Sequence, residues 1–420
     1  MPTLKHPPAV WTDGTLSLLT HGYAWLPDHM RASSDGTVRT RLLGRRTVAL
    51  RGPEAVAFFY DEQHVQRRAA LPDRVLDTLF GQGAVHTLDG LAHRVRKAMF
   101  LSLLKDEPGI EALREHVLLR WREAVSRWRG APEETVVLFD EVAGVLALAV
   151  CDWAGVPLPL PLTAADDGQL ARDCVAMVDG FATAGPRQLR ARHARKRQEQ
   201  ALAQLIVRVR EQRETAPDGS ALDVVARHRD ADGSVLDPHL AAVELLNIIR
   251  PTVAIAWFAT FAAHALHRWP QHRGALREDA SGRLATGFAH EVRRFYPFAP
   301  FVGGLAARDL QWRGETVPEG TLLLLDLYGQ HHDPQWWDHP YRFDPHRYGT
   351  GESLRYLVPQ GGGDAAAGHR CPGEDITVTL LAAFVTELAG LDVSVPDQDL
   401  TIPLSRIPTL PRSGFRFRLG

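Results

Sequence analysis

The 420-residue sequence has only three cysteines, Cys151, Cys174 and Cys371, and they lie far apart along the chain. So few thiols cannot build the disulfide framework of a secreted protein, and they are typical of a reducing compartment. The first fifteen residues also lack the apolar segment and the cleavage-like site of a signal peptide. These absences predict a cytoplasmic protein without an amino-terminal anchor.

An excess of charge of one sign is lacking too. The net charge is −2 and the basic residues are scattered, so the sequence does not predict a nucleic-acid surface. The basic segments 190–200 and 207–214 are typical of the solvated face of a charged helix, and an interaction surface is the less favoured alternative. The longest apolar run, 252–266, is shorter than the roughly 20 residues that a membrane span needs.

Linkers, repeats and low-complexity segments are absent, which favours a single domain over residues 1–420. A hairpin is expected at 37–52 and helices through most of 92–271, where apolar residues recur with a helical period. Short strands, including a hairpin around Gly314 and the 318–320 turn, are expected after Pro297, and a last helix at 374–390. The fold class predicted is mainly α, with small β-sheets at both ends (α+β).

The segment NIIRPTVAIAWF (247–258) begins the most apolar run with Arg250 and Pro251 side by side. An unpaired buried guanidinium costs several kcal/mol, and proline costs a helix interior about 3 kcal/mol. Two such penalties at adjacent positions indicate a site. The alternatives are an internal ion pair of Arg250 with Glu244 or Asp179, and a simple kink at Pro251.

A glycine-rich loop in PQGGGDAAAGHRCPGEDITV (359–378) leads to Cys371 at the start of a helix. A thiolate there is stabilised by the helix dipole and by backbone N–H groups. Gly363 and its neighbours would let the backbone approach a flat group, and His369 adds positive charge beside it. The alternative is a surface turn with a structural cysteine.

Three motifs in fixed order carry a resemblance to the cytochromes P450: Glu291-x-x-Arg294, then Phe343-x-Pro345-x-Arg347, then Cys371-x-Gly373. The resemblance extends from Thr37 to the C-terminus. It implies the P450 fold, haem b as cofactor and Cys371 as the axial thiolate ligand of the iron. It also implies that Glu291, Arg294 and Arg347 form a structural charge network that braces the haem-binding loop.

The loop departs from the common P450 pattern, because Arg370 directly precedes Cys371 and the usual phenylalanine is missing. In this it resembles the fatty-acid peroxygenase and decarboxylase branch. The acidic residue that precedes the distal threonine in ordinary P450s is also missing, and Arg250 stands in its place before Thr252. With Asn247 and Pro251, Arg250 resembles that branch's distal helix, which implies that it binds a fatty-acid carboxylate.

The resemblance implies roles for further residues. His86 would act as a proton donor near Cα and Cβ of the substrate, with Phe80 packed against it, although a surface histidine is the alternative. His93, Lys97 and Arg67 or Arg68 would contact the haem propionates, unless they are solvated surface charges. The candidates for lining an alkyl channel are Val178, Phe181, Phe298, Pro300 and Phe301. The alternative for each is a plain core residue, which is the more frequent role of such side chains.

The leading hypothesis is therefore a haem-thiolate peroxygenase that uses hydrogen peroxide, without an obligatory reductase, to oxidise a fatty acid at Cα or Cβ. The expected products are 2- or 3-hydroxy acids and, by decarboxylation, terminal alkenes. The alternatives are a monooxygenase that depends on a redox partner and acts on another carboxylic acid, and a non-catalytic haem sensor.

Overall fold

The structure is a computed structural model that describes residues 11–158, 160, 168–349 and 351–420. Residues 1–10, which form most of the segment considered for a signal peptide, lie outside the described part. The expected class is confirmed: most of the described chain is helical, and its described strands form three small sheets.

The N-terminal part contains the predicted hairpin at 37–52. Its strands pair antiparallel from Thr37 opposite Leu50 to Leu42 opposite Arg45. The two turn residues, Leu43 and Gly44, both have positive φ, as a tight hairpin turn requires. The elements are α1 (Thr15–His21), α2 (Trp25–Ala32), β1 (Thr37–Leu42), β2 (Arg45–Leu50), α3 (Pro53–Phe59), β3 (Val65–Gln66) and α4 (Asp73–Val75).

A π-helical turn, Leu76–Phe80, and a 3-10 turn, Val85–Thr87, precede the predicted helical middle. That middle is confirmed. Its elements are α5 (Gly90–Leu104), α6 (Glu107–Gly130), β4 (Val136–Val137), α7 (Leu138–Ala154), α8 (Gln169–Asp179), α9 (Pro186–Arg210), α10 (Ala221–Arg227), α11 (Pro238–Val253), α12 (Ile255–Arg268), α13 (His272–Arg277) and α14 (Arg283–Phe295).

The C-terminal part alternates strands and loops and contains the last predicted helix at the predicted bounds. Its elements are β5 (Phe301–Ala306), β6 (Leu310–Trp312), β7 (Glu315–Val317), β8 (Leu322–Asp326), α15 (Leu327–His331), α16 (Glu374–Gly390), β9 (Val393–Ser394) and β10 (Arg416–Leu419). Gly314 forms the turn of the β6–β7 hairpin, whereas the 318–320 turn leads into β8 of a different sheet.

The largest sheet has the strand order β1-β2-β8-β5-β3. The β2–β8 pair is parallel and the other neighbours are antiparallel. A second sheet has the order β4-β10-β9 and joins the chain's end to the helical middle.

The main hydrophobic core lies between α6, α7, α11, α12 and α16. Trp121 of α6 is fully buried, and its ring meets that of Phe384 of α16 edge to face at 5.4 Å. Truncation of such a buried tryptophan to alanine costs about 3–5 kcal/mol. The core therefore holds α16, and with it the cysteine loop, against α12.

The segment formed by α11 and α12 is the most apolar part of the fold. By length and composition it could cross a membrane, contrary to the expectation that its apolar run is too short. However, 94% of the apolar 18-residue stretch that is long enough to do so is buried inside the fold. Every residue from 241 to 266 is buried except Pro251, which is exposed. An accessible residue in the middle of a buried helix indicates an internal space beside it, and the helix breaks at Ala254, just after the proline.

The expectation of a solvated charged helix at 190–200 is wrong in part. In α9 the side chains of Arg195, Gln198 and Glu199 are buried. They share a stripe with apolar residues such as Ala191 and Leu202, which packs against the rest of the helical core.

Candidate functional site

Cys371 lies directly before α16, where nearby donors surround its sulfur. The amide Nε2 of Gln360 is 3.6 Å from Sγ, and the backbone N–H of Gly373 also donates to it. Burial raises the pKa of the thiol, whereas these two donors favour the thiolate. Cys151 and Cys174 are buried, but Cys371 is partly accessible. Of the three thiols, it is the one positioned to bind a ligand.

The glycines before Cys371 are also constrained by protein contacts that the sequence did not indicate. A Cβ on Gly363 would lie 2.8 Å from Cβ of Tyr60, and one on Gly361 would lie 2.3 Å from the Tyr60 hydroxyl. A Cβ on Gly362 would lie 2.4 Å from a methyl group of Val56. These glycines are therefore required for close packing of the loop against α3 and its following residue.

Glu291, Arg294 and Arg347 form the expected charge network. Glu291 and Arg294 are fully buried and joined by two hydrogen bonds of 2.8 Å, and Nε of Arg347 lies 3.2 Å from Glu291 Oε2. Arg294 also donates to the carbonyl oxygens of His331 and Pro340. The network ties α14 to the segment before the cysteine loop.

A second ion-pair group supports the loop directly, and the sequence reasoning missed it. Arg293 forms an ion pair with Glu374 and donates to Gln360 Oε1 at 2.9 Å, so that the Gln360 amide is oriented towards the sulfur. Arg370 pairs with Glu374 at 2.7 Å. The only signal in the sequence was Arg293, the first arginine of the pair Arg293-Arg294.

Four basic side chains gather near the cysteine loop, as predicted. The rings of His93 and His369 stack with centroids 3.9 Å apart. Lys97 donates hydrogen bonds to the carbonyl oxygens of Gly368 and Arg370 in the loop. Arg67 donates to the carbonyl oxygen of Gly303, and its guanidinium lies over the ring of Phe59.

Burial lowers the pKa of all four side chains, to about 3 for His93 and about 8 for Lys97. In the described part of the chain Arg67 and Lys97 form no salt bridge with a carboxylate, and His93 Nδ1 has no hydrogen-bond partner. The buried charges of Arg67 and Lys97 favour an anionic ligand, and the neutral imidazole of His93 can donate a hydrogen bond to it. Haem fits this arrangement, because its propionates would pair with the cations and Cys371 could ligate its iron.

Arg250 of α11 is 5% exposed and lacks the internal ion pair considered as its alternative. Glu244 pairs with Arg96, and Asp179 pairs with Arg187 and Arg406. Arg250 makes one long hydrogen bond, 3.4 Å from Nη2 to Asn247 Oδ1, and its Nε has no partner among the described residues.

Burial lowers the pKa of Arg250 to about 9. The nearby Arg195 acts in the same direction, and the thiols of Cys174 and Cys371 oppose it. The guanidinium is thus a buried cation within electrostatic reach of Cys371 and without a carboxylate partner in the described chain. Such a group is suited to bind a carboxylate ligand through two parallel hydrogen bonds.

The distal threonine is not available as a proton relay. The hydroxyl of Thr252 donates to Ile248 O at 3.0 Å. Pro251, which has no N–H, leaves the carbonyl of Asn247 without its helical partner. The helix therefore carries a cation in place of the acid that the sequence lacks, and its threonine hydroxyl is bonded within the helix.

His86 and Phe80 lie in contact, as expected, with ring centroids 4.4 Å apart. The guanidinium of Arg250 lies 6.0 Å from the centre of the Phe80 ring. Burial, followed by the charge of Arg250, lowers the pKa of His86 to about 3, so that the imidazole is neutral in the ligand-free protein. Its Nδ1 is buried and has no hydrogen-bond partner among the residues that the structure describes.

The channel candidates divide into two groups. Phe181 meets Phe80 edge to face at 6.0 Å and so belongs to the site. Val178, one turn earlier on α8, is buried in the main core. Phe298 packs on Phe258 at 4.8 Å, and no ring contact among the described residues joins it to Phe80.

Arg195 and Glu244 are site residues that the sequence reasoning missed. Arg195 donates to the carbonyl oxygens of Leu79 and Phe80, and the absence of a side chain at Gly81 makes room for it. Glu244 was considered only as a possible partner of Arg250. A signal was present for Arg195, because Ala191, Ala194, Ala201, Leu202 and Leu205 recur at helical spacing on the same face.

Comparison with protein families and solved structures gives consistent matches. The cytochrome P450 family model matches residues 283–404. The structure of cytochrome P450SP alpha (CYP152B1) aligns with a TM-score of 0.91 and 40% identity over 97% of this chain and 98% of that one. Cytochrome P450EX alpha (CYP152N1) with myristic acid gives a TM-score of 0.89 and 38% identity over 98% of this chain and 99% of that one.

A variant of cytochrome P450 OleT in complex with arachidonic acid aligns with a TM-score of 0.91 and 34% identity over 98% of both chains. Curated relatives are more distant and match in part. Cytochrome P450 4A7 of Oryctolagus cuniculus is 27% identical over 39% of this chain, and cytochrome P450 4A11 of Homo sapiens is 25% identical over 47%. These matches span 35% and 41% of the length of the two relatives.

Proposed function

Because this chain belongs to the cytochrome P450 family and is similar over almost its whole length to its CYP152 members, we propose that it is a haem-thiolate fatty-acid peroxygenase. It oxidises the fatty acid at Cα or Cβ and uses hydrogen peroxide as the oxidant, without an obligatory reductase. Two relatives were solved with myristic and arachidonic acid, which supports fatty acids as the substrate class.

One observation carries the proposal: Arg250 is a buried guanidinium that no described carboxylate of the protein neutralises. A fatty acid is an anion with a long apolar chain, so that a buried cation beside aromatic rings matches both of its parts. A P450 that receives electrons from a partner protein needs an acid of its own for proton delivery. Here the carboxylate of the substrate would take that place.

Haem would be held by Cys371, whose thiolate would ligate the iron, and by Arg67, His93, Lys97 and His369, which would bind its propionates. When bound, a thiolate-ligated haem supplies cleavage of the peroxide O–O bond and abstraction of hydrogen from carbon. Gln360 and the N–H of Gly373 would hold the thiolate in its charged form and moderate its electron donation. These roles follow from the donor set present in the protein.

Arg250 would bind the substrate carboxylate and so place Cα and Cβ at a defined depth in the site. The bound carboxylate would then accept a proton from hydrogen peroxide and return it to the departing oxygen as water forms. Pro251 leaves a local gap in α11 for this carboxylate. The rings of Phe80 and Phe181 would border the first carbons of the alkyl chain.

Two overall reactions are expected, and each of them balances. Hydroxylation converts one fatty acid and one hydrogen peroxide into a hydroxy acid and one water. Decarboxylation converts the same reactants into a terminal alkene, one carbon dioxide and two waters. His86, a neutral imidazole against Phe80, would donate its hydrogen bond near Cβ and favour the second outcome, so that mixed products are expected.

The same proposal includes the setting of the enzyme. The apolar segment 238–268 packs into the core, which supports a protein that works in the cytoplasm without a membrane anchor. No basic surface was predicted from the sequence, and nucleic acid is not expected among its partners.

The deciding experiment is mass spectrometry of the products from a panel of medium- and long-chain fatty acids, with peroxide and no reductase. Hydroxy acids or alkenes are expected from the free acids but not from their methyl esters, which lack the carboxylate. Full turnover with ferredoxin and NADPH, but none with peroxide, would establish the partner-dependent monooxygenase instead. No turnover and no change in the Soret band with any fatty acid would favour a non-catalytic haem protein.

A further inference from the structure

Glu244 is a fully buried carboxylate on α11, and both of its oxygens accept hydrogen bonds. Its Oε1 accepts from the backbone N–H of Val85 at 2.8 Å and from Nη1 of Arg96 at 2.7 Å. Its Oε2 accepts from Nδ2 of Asn247 at 3.2 Å. One carboxylate thus joins the turn that bears His86 to the helix that bears Arg250.

The amide of Asn247 passes this contact on to Arg250. Its Nδ2 donates to Glu244 and also to the carbonyl oxygen of Phe80, at 2.8 Å, so that both of its N–H groups are used. The amide oxygen is therefore left to face the guanidinium, where it accepts from Nη2 of Arg250 at 3.4 Å. Among the described residues this is the only hydrogen bond of the Arg250 side chain.

We propose that Glu244 is a positioning residue for Arg250: by fixing the orientation of the Asn247 amide, it aims the guanidinium at the substrate carboxylate. The inference rests on the proposed function, because it concerns the same carboxylate site. Glu244 itself does not touch Arg250, and it acts through Asn247 alone.

An isosteric glutamine at position 244 would expose this role, because all three contacts of the carboxylate are with donors. The amide oxygen of the glutamine could still accept from Val85 and Arg96. Its NH2 group would then face the NH2 group of Asn247, and two donors cannot bond to each other. Asn247 would have to rotate, which would turn its own NH2 group towards the cationic Arg250.

The disturbance should therefore appear in carboxylate binding. We expect Glu244→Gln to weaken the binding of myristic acid about tenfold, which corresponds to about 1.4 kcal/mol. The binding of imidazole, a neutral haem ligand without a carboxylate, should change less than twofold. In turnover the change should be an increase in KM, with kcat changed much less.

Asp230→Asn is the matched control. Asp230 pairs with the same Arg96 through both of its oxygens, but it contacts neither Val85 nor Asn247. This variant disturbs the same buried cation and should leave the affinity for myristic acid within twofold of the wild type. Titration of the Soret band of each holoenzyme with myristic acid and with imidazole measures both affinities.

Asn247→Ala provides a second test that does not depend on the folding of Glu244→Gln. It should also weaken myristic acid binding about tenfold, and the double variant should bind no more weakly than Asn247→Ala alone. Additive losses in the double variant, or wild-type affinity in either single variant, would overturn the inference. Equal losses for myristic acid and imidazole would also overturn it, because they would indicate general damage to the site.

A wrong function and a wrong role for Glu244 would give different results. If the wild-type holoenzyme neither binds fatty acids nor oxidises them with peroxide, the proposed function is wrong. If the wild type does both and Glu244→Gln matches it in affinity and KM, only the role of Glu244 is wrong.

Discussion

Replacement of Arg250 by methionine should have opposite effects on stability and on function. Methionine is close to arginine in length but carries no charge. The substitution removes a buried cation that has a single long hydrogen bond and no carboxylate partner among the described residues. The ligand-free protein should therefore become more stable, while binding of a fatty acid should be weakened.

The magnitude follows from the cost of burial. Burial is the main cause that lowers the pKa of Arg250 to about 9, well below its ordinary value. At about 1.4 kcal/mol for each tenfold change in the protonation equilibrium, burial disfavours the charge by on the order of 5 kcal/mol. Water in the internal space beside the helix would reduce this, so that we expect a gain of about 1–3 kcal/mol. An unfolding entropy of about 2.1 cal/mol/K per residue converts that gain to roughly 1–3 °C in this chain.

Thermal denaturation with and without saturating myristic acid measures both effects. Without the acid the variant should melt higher than the wild type. With the acid at a hundred times the wild-type Kd the wild type should gain about 2.7 kcal/mol and the variant roughly 1–2 kcal/mol less than that, so that the stability advantage of the variant shrinks or reverses. In peroxide turnover, loss of a charged hydrogen-bond partner should raise KM about 10- to 150-fold.

Arg195→Met is the control with the same change of side chain. Arg195 is equally buried, but it donates to two carbonyl oxygens and pairs with Glu199. Its removal leaves the buried carboxylate of Glu199 with only His239, at 3.6 Å, as an ion-pair partner and should lower the melting temperature. If Arg250→Met also melts lower than the wild type by several degrees, Arg250 has a partner of its own and the reasoning is wrong.

Three further substitutions test other parts of the site. His86→Gln should shift products from alkene to hydroxy acid several-fold by gas chromatography; an unchanged ratio would remove His86 from the chemistry. The pKa of His86 is held at about 3, below its unfolded value of about 6.5. The stability of the fold should therefore decrease as the pH drops from about 6.5 towards about 3, because the unfolded chain binds a proton in that range and the folded protein does not. The stability of His86→Gln should decrease less over the same range. Glu291→Gln leaves buried arginines without their carboxylate, so that we expect a loss of about 3–5 kcal/mol and of bound haem; normal haem content would contradict the bracing role. Gly363→Ala should cost about 1–3 kcal/mol more than Gly351→Ala, measured by urea denaturation, because both glycines have φ +74° but only at 363 would a Cβ clash with Tyr60.

A common feature of the site is that it keeps cations buried at a cost to stability. Arg250 on one side and Arg67 and Lys97 on the other are all desolvated, and burial lowers the pKa of each. The surrounding fold holds these unfavourable buried charges in place, and the binding of an anion beside them would offset their cost to stability. The substrate carboxylate and the haem propionates are the anions that these two groups would receive.

Much of the fold could be predicted from the sequence because its signals are local. The helical period through the middle of the chain, the 37–52 hairpin and the start of α16 after Cys371 all depend on neighbouring residues. The pair Glu291 and Arg294 is also local, one helical turn apart, and lies in one ion pair. The order of the three motifs along the chain was sufficient to indicate the family.

Which charges are paired was decided only by the tertiary structure. Glu244 lies six residues before Arg250 and could have neutralised it, but its oxygens bond to Arg96 and Val85, which are distant in sequence. Burial of Arg195, and the packing of Tyr60 against the glycines, likewise depend on segments that meet only in the folded chain. A sequence shows that an arginine lies on an apolar helix; whether that arginine has a partner depends on long-range contacts, and that decides whether it can bind a substrate.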